Sequence, residues 1–431
     1  MNRTGDNRTF QSWRVWLAGV LLAGFVLRLG LGWTLSTDVD ELRARLPDQG
    51  EYLALAASLI EGNGLVLHDA RFGQDVYAHR MPGYPAFVAM LGANVSAVRV
   101  TQALLDVSTA LAVFLIIRRF MPVRGALLGA ACVAFNPYLI YFSTLVLSET
   151  LYTAMLTWGV WMLLQPRGAW VGWALLLVSV YVRPSAIGLS AGMGAVCAFV
   201  NHASWGAYDQ QVSLLRQRLA PAIGIFLLSL LATVVVLIPW SWRNKVVLGS
   251  NVWLTTNGGV TAYDGFNPTQ LDKSWREQGG SDQRFLVSMP ELKKVGELER
   301  DRRLNSMARQ FVSEHPWPAI QLTGMKILRT WSPVPLSTEY GGRSIYVLVG
   351  LVYGVPFFGA VLIGLFRPVS RGGLPGKIKL VLLAPALYFT CVHALSVGSL
   401  RYRVPVEPVL AVLAVSAIRW KGDGKEMTKP Q

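Results

Sequence analysis

The feature that most restricts this chain is a succession of apolar runs, several of them longer than the roughly 20 residues needed to cross a hydrocarbon core. The first extends from about Trp13 to Leu35 and the second from about Ala97 to Ile117. A third begins at Arg124 and ends near Asn136-Pro137-Tyr138, and a fourth runs from Ser148-Glu149-Thr150 to Gln165-Pro166-Arg167. Trp170 to Val182 and Ser185 to Val200 form a shorter pair joined at Arg183-Pro184, and Pro221 to Ile238 stops at Pro239-Trp240-Ser241-Trp242-Arg243-Asn244. After a long polar stretch come Ser344 to Phe366, Leu380 to Val397 and Pro405 to Ile418. This pattern predicts an all-α polytopic membrane protein with about ten transmembrane helices. Only 15% of the 431 residues are charged, against about 25% in soluble domains, which excludes an ordinary soluble fold.

The formal net charge of +15 does not indicate nucleic acid, because no basic recognition helix or RNA-binding motif accompanies it. Arg3, Arg8 and Arg14 precede the first run, Arg118-Arg119 follows the second, and Arg216, Arg218, Arg367, Arg371, Lys377 and Lys379 mark later loops. Basic residues in short loops and tails are what positive-inside insertion leaves. Both termini are therefore expected in the cytoplasm, and the segments 36–95 and 246–343 outside, lengthy translocated segments being exempt from the charge rule. Three parts follow: an N-terminal transmembrane module at 1–245, with the first outer loop at 36–95; a small extracytoplasmic segment of mixed structure at 246–343; and a C-terminal transmembrane module at 344–431. Trp13 onward is too long for a signal peptide and lacks a small-residue cleavage site, so it reads as a retained anchor. Cys132, Cys197 and Cys391 all fall in apolar runs without metal-ligand spacing and read as packing residues. Trp240, Trp242, Trp317 and Trp331 suit an interfacial aromatic belt. Neither a fixed-period repeat nor the inverted halves of a transporter is evident.

Chemistry concentrates in the first outer loop. Asp48 opens a short amphipathic helix with two surface helices expected in this loop, Gly62-Asn63-Gly64 stops it, and Arg80-Met81-Pro82-Gly83-Tyr84-Pro85 leads back to apolar sequence. Asp48 is either the N-cap of a helix beginning near Glu51 or an acid–base group. Arg80, Arg183, Arg243, Arg401 and Arg403 all map to the outer membrane edge. Guanidinium groups there either anchor the interface or bind phosphate with paired donors. Arg183 and Arg243 are favoured for phosphate because each sits in a proline-containing break at the end of a run. Glu149 lies at the outer edge, whereas Asp106 lies within a run and is expected to pair with a neighbouring helix. His79 and Glu51 can both ligate a metal, but two such residues are an incomplete set, so no cofactor is assigned and a divalent metal stays an alternative. His315, before Pro316, is expected to cap the outer segment as it returns to the membrane.

Taken in order, these pieces, with Asn257-Gly258-Gly259, Glu314-His315-Pro316-Trp317 and Arg401-Tyr402-Arg403-Val404-Pro405, extend over nearly the whole chain. Their combination resembles the C-type integral-membrane glycosyltransferases, in particular the bacterial branch related to protein O-mannosyltransferases and lipid A aminoarabinose transferases. The resemblance implies sugar transfer from a polyprenyl-phosphate donor to a glycan, lipid or protein acceptor at the outer face of the bacterial cytoplasmic membrane. It implies Asp48 as general base, inversion at the anomeric carbon, the five arginines as phosphate ligands, and Glu51, Tyr52, Tyr84 and Glu149 as substrate contacts. The better-known relatives often have Asp-Glu at the first-loop acid where this chain has Asp48-Gln49, so Asp40-Glu41 stands as an alternative. The spacing of Asp48 from Tyr52 favours Asp48. Two rivals remain: a flippase for a lipid-linked sugar, and a polysaccharide polymerase or ligase using diphosphate-linked donors.

Overall fold

The computed structural model describes residues 4–201, 211–270, 289–336 and 344–420. Arg3, part of the expected inner loop (202–210), the start of the charged helix expected from Arg284, the polar segment's end at Arg343 and the tail beyond Trp420 lie outside those residues. So do the side chains of Arg8, Arg216 and Arg218.

The described chain is almost wholly helical. The N-terminal part contains α1 (Thr4–Trp33), α2 (Val39–Arg45), α3 (Pro47–Ile60), a two-stranded antiparallel hairpin of β1 (Leu67–Asp69) and β2 (Gln74–Val76), and α4 (Gly83–Met90). Then come α5 (Val95–Arg118), α6 (Val123–Ala134), α7 (Pro137–Ser143), α8 (Glu149–Leu163), α9 (Ala169–Val178), α10 (Leu189–Asn201) and α11 (Gln211–Leu248). The outer segment carries α12 (Gly258–Gly265), α13 (Pro290–Lys293), α14 (Glu297–Glu314) and α15 (Pro316–Trp331). The chain closes with α16 (Ser344–Phe366), α17 (Gly376–Ala394) and α18 (Glu407–Ser416). In the segment expected to be mixed, helices are the only regular elements among the described residues, joined by irregular stretches such as 249–257, and the two strands belong instead to the first loop.

Among the described residues, five helices are long and apolar enough to cross a membrane, or six if α6 and α7, bent by 50°, form one span. Length and composition alone thus mark fewer spans than the ten expected. The remaining apolar runs fold as shorter helices interrupted at proline or glycine, such as Ala169–Tyr181 and Pro184–Val200. Interrupted backbone is tolerated at membrane depth where protein, not lipid, surrounds it. The α18 run illustrates the point: all ten of its residues are buried, against α5, α6, α8, α16 and α17, so its apolarity reflects a protein core and not lipid contact. A correction concerns Pro239, expected to end a run. The helix continues through Pro221 and Pro239 to Leu248, so the Pro-Trp-Ser-Trp-Arg-Asn motif is helical.

Two buried arginines explain how the bundle tolerates its breaks. The bend before Pro137 orphans the last carbonyls of α6, and such groups need a donor when water is absent. Arg28 of α1 supplies it, donating to the carbonyls of Ala134 at 2.7 Å and Val133 at 3.3 Å. Its Nε and Nη2 meet Asp106 Oδ2 of α5 at 2.7 and 2.6 Å. Asp106 thus pairs with a neighbouring helix. Arg99 does the same work one turn nearer the loops, donating to the carbonyls of Gly32, Leu35, Ser36 and Thr144.

The basic loops meet at one end of the bundle. Arg119 donates to Gln165 at 2.9 Å, Arg367 to the Ala417 carbonyl, and Lys379 to the carbonyls of Leu365 and Arg367 at 2.7 and 2.6 Å. Helix α8 ends there and begins at Glu149, and α17 begins there and leads to Arg401, so both acidic and cationic candidates lie at the opposite end.

Arg28→Met removes the partner of Asp106 and the side-chain donor to the Ala134 carbonyl, so it should cost about 3–5 kcal/mol, the range for breaking a buried pair. Asp106→Asn, which can still accept from Arg28, should cost less. Thermal unfolding of the two variants in detergent checks that order.

Candidate active site

Asp48 lies within the first turn of α3, after Pro47 at the first helical position. It is not the N-cap; Leu46 holds that place and makes no side-chain cap bond. A carboxylate there is favoured by the helix dipole, and residues three and four positions on share its face. Asp48, Glu51 and Tyr52 therefore point to one side. After α3 the chain turns at Gly62 and Gly64, with φ of +82° and +78°, values that favour glycine.

The loop after the hairpin brings Arg80 across that face. Arg80 Nη2 lies 2.6 Å from Asp48 Oδ1 and its Nε lies 2.9 Å from Glu51 Oε2. His79 Nε2 sits 3.2 Å from the same Glu51 oxygen. The other Asp48 oxygen, Oδ2, accepts from Arg401 Nη1 at 2.6 Å. Arg401 also pairs through Nε with Glu149, whose Oε1 is 3.5 Å from Arg183 Nη2. The result is an alternating file: Glu51, Arg80, Asp48, Arg401, Glu149, Arg183. Glu149 is fully buried and its Oε2 has no hydrogen-bond partner, whereas the Asp48 side chain is 26% exposed.

Aromatic rings orient the cations. Arg80 lies over Tyr52 at 5.4 Å from its centroid, and Arg183 lies over both Tyr152 and Tyr402 at 5.7 Å. Tyr402 stacks in turn on His393, with centroids 3.8 Å apart and planes 5° from parallel. Close backbone approach holds Arg80 near Arg183. A Cβ on Gly83 would fall 2.7 Å from the Tyr181 carbonyl oxygen, so only glycine lets this turn sit against the break that presents Arg183.

Two buried amides, which the sequence reading missed, secure the non-helical residues before Glu149. Gln49 accepts from the Val146 N–H at 3.0 Å and donates to the Leu42 carbonyl at 3.2 Å. Gln102 donates to the carbonyls of Ser143 and Leu145 at 3.0 and 2.7 Å and accepts from the Tyr84 hydroxyl at 2.8 Å. An amide inside an apolar helix was the available signal at Gln102, since such groups need internal partners. Gln49 offered none.

Burial pushes the Asp48 carboxyl up, but the charges of Arg80 and Arg401 outweigh it and leave the group below the usual carboxylate range. For Glu51 the same opposition, with Arg80 and His79 as the cations, ends well below that range. Both acids are ionised at neutral pH.

Other candidates stand elsewhere. Arg243 donates to the carbonyls of Tyr77 at 2.6 Å and Leu65 at 3.0 Å and lies over Trp240, so its donors are spent on backbone. Arg403 is fully buried, donates to Glu407 at 2.8 Å and to the Ser332 carbonyl, and lies over Phe358. Neither joins the file, because each is consumed in bracing an irregular segment. Tyr84 is completely buried with its hydroxyl on Gln102, out of reach of a substrate. Asp40 is 90% exposed beside Arg43 on α2, outside the file. His315 lies at the junction of α14 and α15, as expected of a cap, but without a side-chain cap bond. The cysteines are free, with Cys391 exposed. Among the described residues no three metal-ligating side chains gather. Asp48, Glu51 and Glu149 already face guanidinium groups, a setting that disfavours a divalent cation.

No protein-family model matches this chain, and no curated protein matches it either. Solved structures do. The archaeal oligosaccharyltransferase AglB from Archaeoglobus fulgidus, in complex with an inhibitory peptide and a dolichol-phosphate, superposes with a TM-score of 0.50 at 13% identity over 94% of this chain and 50% of that one. The same enzyme complexed with zinc and sulfate gives 0.49 at 13% identity, over 93% and 48%. The chain thus spans about half the length of these structures. At this identity the likeness concerns the fold alone: the chain shares its architecture with that oligosaccharyltransferase structure.

Proposed function

We propose that the protein is a membrane-embedded glycosyltransferase that moves a sugar from a polyprenyl-phosphate carrier to an acceptor hydroxyl at the outer face of a bacterial cytoplasmic membrane. The observation that carries this reading is the position of Asp48, with one carboxylate oxygen on Arg80 and the other on Arg401. A partly exposed carboxylate clasped by two arginines occupies the kind of seat a phosphate would take, and guanidinium groups grip phosphate with paired donors. The oligosaccharyltransferase with the shared fold was solved with a dolichol-phosphate, which agrees with a lipid phosphate as carrier. The bundle's basic end lies opposite the site, in keeping with an extracytoplasmic location.

In this mechanism the donor phosphate engages Arg401, Arg183 and Arg80, and Asp48 is released from part of its ion pairing. Its freed oxygen accepts the proton of the acceptor hydroxyl. The acceptor oxygen forms a bond to the anomeric carbon as the carbon–phosphate oxygen bond breaks, and the electron pair departs with the carrier phosphate. Attack opposite the leaving group inverts the configuration. The arginines stabilise charge growing on the phosphate, the largest contribution expected in such a step. Glu149, buried between Arg401 and Arg183, keeps those two cations from repelling one another in the resting state, and Glu51 and Tyr52 place Arg80.

Asp48→Asn should lower transfer by at least about 10²-fold, the usual scale for losing a general base, while leaving carrier binding intact; undiminished transfer would exclude the role. Arg401→Gln should lower kcat/KM by about 10²–10³-fold, as removal of a preorganised charge stabiliser does, and a competition assay with mono- and diphosphate carriers reads donor class from the same preparation. Because the Asp48 carboxyl is depressed in the free enzyme, its ionised form persists as pH falls. kcat/KM should therefore show no loss from this group until pH drops below about 4; an acid limb near 6 that disappears in Asp48→Asn would contradict the assignment.

A further inference from the structure

Residues Tyr77 and Ala78 immediately precede His79-Arg80, and every backbone polar group of this pair is bound by the segment from Arg243 to Glu297. The Tyr77 N–H donates to Glu297 Oε1 at 2.9 Å and the Tyr77 carbonyl accepts from Arg243 Nη1 at 2.6 Å. The Ala78 N–H points at Glu297 Oε2 at 3.4 Å, and the Ala78 carbonyl accepts from the Thr256 N–H at 2.9 Å. Glu297 is itself fixed by the Thr256 hydroxyl at 2.7 Å, and Arg243 by stacking on Trp240, whose indole N–H donates to the Leu254 carbonyl at 2.6 Å. A cation and an anion thus hold one dipeptide from two sides, through charge-assisted bonds that are roughly twice as strong as neutral ones.

We infer that Arg243 and Glu297 are positioning residues that set Arg80 against Asp48, so that the outer segment's seating on the bundle governs the cation at the centre of the site. This rests on the catalytic reading of Arg80 and Asp48 given above. The chain allows little slack: only His79 separates the clamped dipeptide from Arg80, whose guanidinium meets Asp48. A shift of one carbonyl at Tyr77 moves Arg80 on a scale comparable with its 2.6 Å contact to Asp48. It also explains why a motif with Trp240, Arg243 and Asn244 lies beside the site without touching the charged file: Asn244 donates to the Val252 carbonyl at 2.9 Å, fastening the start of the outer segment to the same helix.

The test pairs hydrogen exchange with kinetics on the full-length protein in detergent, comparing wild type with Arg243→Gln, Arg243→Lys and Glu297→Gln. Glu297→Gln turns an amide N–H toward the Ala78 N–H, and Arg243→Lys retains one donor. Amides of peptides covering 77–82 should exchange at least about tenfold faster in the two glutamine variants, the effect expected for losing a hydrogen bond to a charged group, with α5 peptides unchanged and Arg243→Lys in between. kcat/KM should fall by about 10²-fold, the cost of misplacing a catalytic group by an ångström. In an Arg80→Ala background Arg243→Gln should add almost nothing, because the two act through one group. Unchanged exchange at 77–82 would overturn the inference, and so would full additivity with Arg80→Ala, which would mean that Arg243 touches substrate directly. If Arg243→Gln does not fold, Arg243→Lys and Glu297→Gln decide the matter by the same readouts. Absence of transfer in wild type would sink the glycosyltransferase reading alone, since exchange judges the clamp without any substrate.

Discussion

The structure depends on neutralising several charges in a chain that has almost no water to offer them. Asp48, Glu51 and Glu149 alternate with Arg80, Arg401 and Arg183 in a single file, so that every carboxylate touches a guanidinium. Taking such groups out of water costs several kcal/mol each unless their partners are well placed. The placement comes from five separate places in the chain: the first turn of α3, the loop between β2 and α4, the start of α8, the break after α9, and the turn after α17. None of these can move independently without exposing a neighbour's charge. A site assembled this way is both rigid and poised, because an incoming anion can replace a carboxylate without leaving a cation bare.

The same physics recurs away from the site, with backbone carbonyls in place of carboxylates. Arg28 and Arg99 satisfy groups orphaned at the α6–α7 bend and at the end of α1. Arg403 with Glu407 braces the turn that leads to Arg401's neighbours. Arg243 does so for the hairpin loop. An arginine has five donors in a fixed fork, which suits it to bind several carbonyls at once. This is why a protein with so little charge overall places buried guanidinium groups at its irregular joints, and why those joints can be where function is built.

Much of the candidate site is legible in the sequence, and the places where the geometry differs from expectation have a common cause. Asp48 was recognisable from its place before Tyr52, and Arg80, Arg183 and Arg401 from their positions at the edges of apolar runs. Arg243 and Arg403 carry the same marks, a basic residue beside proline at a run's end, and yet serve the backbone. Sequence position says that a guanidinium is near the membrane edge; it does not say whether carbonyls or an open face will claim its donors. The difference between ten expected spans and the five or six helices that are long and apolar enough has a similar origin. An apolar run such as that of α18 is the same in composition whether lipid or protein surrounds it.

The sequence by itself determined that the chain is a helical membrane protein whose candidate acids and arginines lie in its first outer loop and at the edges of its apolar runs, because transfer free energy depends on composition and length. Only the tertiary structure decided which of those groups meet. Asp48 and Arg401 are 353 residues apart, and no local pattern carries information across that distance. Their contact is set by tertiary packing, which lays the turn after α17 against α8, a matter of shape and of backbone groups finding partners.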